Sequence, residues 1–190
     1  MPDVKNDADI KMLVIELAER FKEEDFETQA LDDRRLVVNE MTFYLCTDAE
    51  KVSVTETHYI LPAQHDTWVL FVLIYVLVMV KKNEQITESA RSFAYSLGLR
   101  DNLNGFRLII DSVIVSVLCA AYTSQQMSQL FLIVSLLNGD TIICIDRSIS
   151  HSFTRAWLEE RKKLVKHFGK KPTVSQLLAE GASRLREELM

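Results

Sequence analysis

Residues 68–80 read WVLFVLIYVLVMV, thirteen consecutive apolar side chains with no polar interruption. A helix that crosses a bilayer unaided needs about 20 apolar residues, so this run is too short to span. A helix apolar on every side belongs inside a protein core or against a partner. Asp66 and Thr67 suit its start and Lys81 and Lys82 its C-terminal end, where backbone amides and carbonyls lack helical partners. The run therefore predicts a deeply buried central helix, and it names no chemistry.

Outward from that helix, the N-terminal flank changes period. Ile10, Leu13, Val14, Leu17 and Phe21 recur at helical spacing, opposite Glu16, Glu19, Arg20, Glu23 and Glu24, which predicts an amphipathic helix over residues 8–24. RRLVVNEMTFYLCTD (34–48) and KVSVTETHYIL (51–61) alternate with period two, and the polar Thr47–Glu50 between them has hairpin-loop length. An antiparallel hairpin is expected there, with a weaker strand near residues 26–31 and Pro62 closing the block.

On the C-terminal side, Ala90, Phe93, Ala94 and Leu97 predict a short helix from Thr87 that ends at Gly98. Residues 106–122 fit a helix or a strand. Their density of Ile and Val, the preceding Asn104-Gly105 and the next capping box at Thr123–Gln126 favour a strand. That box opens a helix running to Asn138-Gly139, and TIICID (141–146) reads as a buried strand. Helix 154–167, the break at Gly169–Pro172 and a second capping box at Thr173–Gln176 form a helical C-terminal extension. The fold class expected is α+β, an antiparallel sheet packed with several helices, with a core over 1–150 and an extension over 151–190.

Composition restricts function. The chain has 190 residues, 48% hydrophobic and 26% charged, which suits a globular domain rather than a disordered one. Its three cysteines stand singly, and the N-terminus MPDVKNDADIK has no apolar stretch of the secretory kind. Both suggest a reducing, cytoplasmic setting. Net charge is −5, but residues 1–60 hold 15 Asp or Glu against 7 Lys or Arg, whereas residues 155–171 hold 7 Lys or Arg against 2 Glu. The acidic front disfavours nucleic acid as a partner. The basic stretch, with Trp157 and Phe168, could meet an anionic membrane surface, although a stretch of this kind is more often the solvated face of a helix.

Catalytic and ligand motifs are sparse. With five glycines there is no phosphate-binding loop or nucleophile elbow, and the four histidines have no metal-ligand spacing. No cofactor is expected. His58, His65 and Asp66 flank a strand-to-helix junction where a carboxylate could orient a base, which would suit a small enzyme. A helix cap and partly exposed imidazoles account for the same residues. Cys119 and Cys144, among apolar neighbours, read as inert core thiols. The leading expectation is a non-catalytic adaptor or chaperone for protein partners, a second copy of the chain included. The last helix offers the stripe Leu178, Ala182, Leu185 and Leu189, which together with Trp157 forms the candidate partner-binding set. Truncation after Lys171 should then spare the core and weaken association.

Two resemblances bear on this. The order of acidic amphipathic helix, antiparallel strands, apolar helix, apolar strand and capped helix over residues 8–146 resembles the small secretion chaperones. This implies an acidic, non-enzymatic, usually dimeric escort for secreted effectors. VKKNEQITESARSFAYSLGLRDN (80–102) is similar to the helix-loop-helix of tellurite-resistance TerB-like domains, in which an acidic loop would hold a cation. Here the loop has Asn83 and Glu84 beside lysines and no aspartate cluster, so no metal is implied.

Overall fold

The computed structural model describes residues 6–119 and 127–189. The fold is α+β, and its described residues separate into two compact units. The first comprises residues up to Val78 together with Leu136–Gly139, and the second comprises Met79–Ser135 and Asp140 onward.

In the first unit α1 (Asp7–Glu23) starts in a capping box. The Asn6 side chain accepts from the Asp9 amide, and the Asp9 carboxylate accepts from the Asn6 amide. Its apolar stripe from Ile10 to Phe21 is buried. Five strands follow: β1 (Thr28–Ala30), β2 (Arg35–Val38), β3 (Met41–Cys46), β4 (Ser53–Val54) and β5 (Tyr59–Pro62). They lie in the order β1-β2-β3-β5-β4. The weak strand expected near 26–31 is β1.

Two details of the sheet differ from the sequence reading. Residues 34–48 are two strands rather than one, because Asn39 and Glu40 both take left-handed φ values (46° and 68°) and turn β2 back on β3. Two positive φ angles make a primed turn, whose twist matches paired strands. The expected hairpin turn at Thr47–Glu50 instead carries the chain out to the sheet edge. There β4 forms, and β5 returns between β4 and β3, antiparallel to the former and parallel to the latter. The sheet is therefore mixed.

The apolar run is helical as expected. In α2 (Thr67–Lys82) the Asp66 Oδ1 accepts from the Val69 amide at 2.9 Å, and eight side chains from Val69 to Val78 are buried. Phe71 meets Phe21 of α1 with ring centroids 4.6 Å apart, and the Arg20 guanidinium lies over the Phe71 ring, 4.3 Å from its centroid.

The second unit is helical: α3 (Gln85–Ser96), α4 (Asn104–Leu118), α5 (Met127–Asn138), α6 (Ile142–Glu159), α7 (Arg161–Phe168) and α8 (Val174–Leu189), with α5 ending in the first unit. Both apolar segments expected as strands, 106–122 and 141–146, are helical where they are described, with Phe106–Leu118 in α4 and Ile142–Asp146 opening α6. In α4 the hydroxyls of Ser112 and Ser116 each donate to the carbonyl four residues earlier, at 2.7 Å. Burial almost all round this helix accommodates its Ile and Val. The helix ends at Leu118, with Cys119 as its C-cap. The capping box expected at Thr123–Gln126 lies outside the described residues. In α6 the Thr141 hydroxyl caps the start, and Ile145, Ile149, Ser152, Phe153 and Ala156 continue at helical spacing. The short window TIICID hid that period. Residue 150, the expected domain boundary, falls inside this helix. Among the described residues no single helix is long and apolar enough to cross a membrane.

Candidate binding groove on the outer face of the sheet

Strand alternation sorts the sheet residues. Leu36, Val38, Phe43, Leu45 and Leu61 are completely buried on one face. The register places Arg35 opposite Tyr44, Tyr44 beside Ile60, and Ile60 beside Ser53, one row across four strands on the other face. The Leu31 amide donates to the Arg35 carbonyl at 2.9 Å and extends the row by one residue. A groove of about 560 Å³ follows this row, lined by Leu31, Asp32, Arg35, Thr42, Tyr44, Thr57, His58 and Ile60.

Each end of the groove is fixed by local hydrogen bonding. Asp32 accepts from the amides of Arg34 and Arg35 at 2.9 and 2.8 Å and from Arg35 Nε at 2.6 Å. The Arg34 amide, then the Arg35 side chain, hold its carboxyl below the usual carboxylate range. Arg34 in turn bonds Asp7 of α1, which raises its own pKa. At the other end the Thr55 hydroxyl accepts from the His58 amide at 3.0 Å and donates to the His58 carbonyl at 2.9 Å. This closes the β4–β5 turn and sets the imidazole against Tyr44, edge to face at 6.0 Å, with Nδ1 2.9 Å from the Thr57 hydroxyl. The groove thus sets Leu31, Tyr44 and Ile60 beside the Arg35 guanidinium and the His58 imidazole.

The enzymatic constellation does not assemble. His58 stands before β5 and His65 and Asp66 after it, and about 13 Å of extended strand separates the two positions. Asp66 caps α2, and only His58 lines the groove. Among the described residues no group of three or more His, Cys, Asp or Glu is placed to hold a metal ion.

The C-terminal set lies in the second unit. Leu178, Ala182 and Leu185 are 2, 4 and 0% exposed, on a face of α8 that packs against α3 and α4. An added Cβ at Gly181 would come within 2.6 Å of Phe93 and 2.8 Å of Val113, which shows how closely these helices approach. The capping box is present as expected, with Thr173 and Gln176 each accepting from the other's amide. The stripe offered to a partner is therefore occupied by the chain itself, and Leu189 is half-buried at its end. Trp157 is half-buried, with the Arg161 guanidinium 5.4 Å from its ring centroid. Cys119 is buried as expected, whereas Cys144 is exposed in the first turn of α6, not in the core. Of the groove residues the sequence singled out only His58, because the row is built by pairings between strands distant in sequence. No family model, curated protein or solved structure matches this chain.

Proposed function

We propose that this protein is a non-catalytic adaptor or chaperone that holds an extended segment of a protein partner along the outer sheet face. The observation that carries this reading is the row Leu31–Arg35–Tyr44–Ile60, in which exposed or half-buried apolar and aromatic side chains alternate with the Arg35 guanidinium, with Thr57 and His58 lining the same groove. Leu31 is 46% exposed. An extended peptide places alternate side chains on such a floor while its polar groups meet Arg35, Thr57 and His58. An effector-type client is the partner implied by the resemblance to secretion chaperones. The structure departs from the element order behind that resemblance, since β3 and β5 pair in parallel and α4 stands where a strand is expected. The groove, and not the resemblance, is the basis of the proposal.

A photo-crosslinking residue at position 31 or 44, compared with one at the exposed Glu24, tests it in the native host. Crosslinks to one partner from the groove positions and none from Glu24 are expected, and the same gel reports a second copy of the chain. Leu31→Asp, at an exposed position, should abolish the crosslink from position 44 without changing thermal unfolding. Equal crosslinking from all three positions, or an undiminished crosslink in Leu31→Asp, would overturn the proposal.

A further inference from the structure

The corner where α6 meets α7 combines features that core packing does not explain. Leu158 is 73% exposed and Val165 is 37% exposed, and α7 buries a single side chain, Leu164. Between and beside them stand Arg155, Arg161, Lys162, Lys163, Lys166, Lys170 and Lys171. The two carboxylates of the stretch are already matched. Glu159 accepts from Arg100 at 2.9 Å and from Arg155 at 2.8 Å, and Glu160 pairs with Lys163 at 3.4 Å. Arg161 stacks on Trp157, and among the described residues Lys162, Lys166, Lys170 and Lys171 have no ion pair.

We infer that this corner docks on an anionic phospholipid surface, with Leu158 and the Trp157 indole entering the headgroup region and the lysines of α7 meeting lipid phosphates. Charge alone would suit any polyanion. The exposed leucine beside an indole decides among them, because only a bilayer interface offers apolar acyl chains just beneath a layer of negative charge. The inference is independent of the groove, whose residues lie in the other unit.

The test is flotation of the full chain with phosphatidylcholine vesicles, plain or carrying about a third phosphatidylserine. Trp157 fluorescence is followed in parallel in a Trp68→Phe background. Flotation with a blue shift is expected on the anionic vesicles only. It should weaken as salt rises above about 0.1 M, where screening shortens to roughly 10 Å. Lys162→Gln with Lys166→Gln should weaken binding roughly twenty-five-fold, at about five-fold for each basic residue removed. Leu158→Ser should weaken it and shrink the blue shift while leaving thermal unfolding unchanged. Absence of flotation on anionic vesicles at low salt would overturn the inference. So would binding indifferent to Leu158→Ser, or equally tight binding to a short DNA duplex, either of which would mark a mere polyanion surface.

Discussion

At Gly105 an added Cβ would sit 2.1 Å from the Ser148 carbonyl oxygen and 2.4 Å from Ser152 Oγ. The first obstacle is backbone and cannot rotate away, so the approach of α4 to α6 depends on this missing side chain. Gly105→Ala should cost about 1–3 kcal/mol by overpacking, which lowers the melting temperature by roughly 2–12 °C for a chain of this size. Ser152 provides the contrast. Among the described residues its buried hydroxyl has no hydrogen-bond partner, so Ser152→Ala should be neutral or slightly stabilising. Thermal melts of the two variants check both signs. Cysteine chemistry gives a second residue-scale outcome. Burial pushes the Cys119 thiol up to about 12 from an ordinary 9.0. It should resist a thiol reagent until the chain unfolds, while exposed Cys144 reacts first and half-buried Cys46 follows. Because the folded value is the raised one, the contribution of Cys119 to stability is complete below about pH 9 and declines as pH rises toward 12. Fast labelling of all three thiols in the native protein would contradict this.

Among the elements, α8 shows what local signals can and cannot convey. Its start was legible, since Thr173 and Gln176 make the reciprocal bonds that their spacing implies. Its stripe was legible too, but not what covers it, because α3 and α4 reach it from far away in the sequence. The same distinction explains the other departures. The run 68–80 fixes its own state by being apolar on every side, so α2 needed no long-range information. In α4 the Ile and Val content argued for a strand, and all-round burial overrode that propensity. At Asn39-Glu40 the turn was hidden because Glu40, with φ 68°, stands where a primed turn usually has glycine. The groove was the least legible feature, since the Arg35–Tyr44–Ile60 row exists only once the strand order is known. For α8 the structure reverses the expectation that it is dispensable. Truncation after Lys171 would uncover apolar surface on α3 and α4, including Phe93 and Val113 against Gly181. Loss of the Leu178 and Leu185 side chains alone is worth about 4–10 kcal/mol at typical costs for buried leucines. The truncated chain should therefore lose its cooperative thermal transition. A sharp transition at the full-length temperature would return α8 to the role of a free partner-binding helix.

For the molecule as a whole, the chain path determines whether either unit can stand alone. The division between Val78 and Met79 falls inside α2, and the one between Ser135 and Leu136 falls inside α5. A fragment ending at Val78 would lose the last turn of α2, which carries Lys81 and Lys82, the charges suited to a helix C-terminus. It would also lose Leu136–Gly139, a segment from much later in the chain that belongs to the same unit. The Leu136 carbonyl accepts from the Val52 amide at 2.9 Å, next to the edge strand β4. Without it that amide loses its partner and the sheet edge next to Thr57, His58 and Ile60 of the groove loosens. The strongly apolar Val69–Val78 would meanwhile remain in the fragment on a shortened helix. Residues 1–78 expressed alone should aggregate or show no cooperative melt. The full chain should unfold in one transition that coincides by far- and near-ultraviolet circular dichroism. A soluble fragment with its own sharp melt would show that the later segment is unnecessary, and the groove could then be studied on that fragment alone.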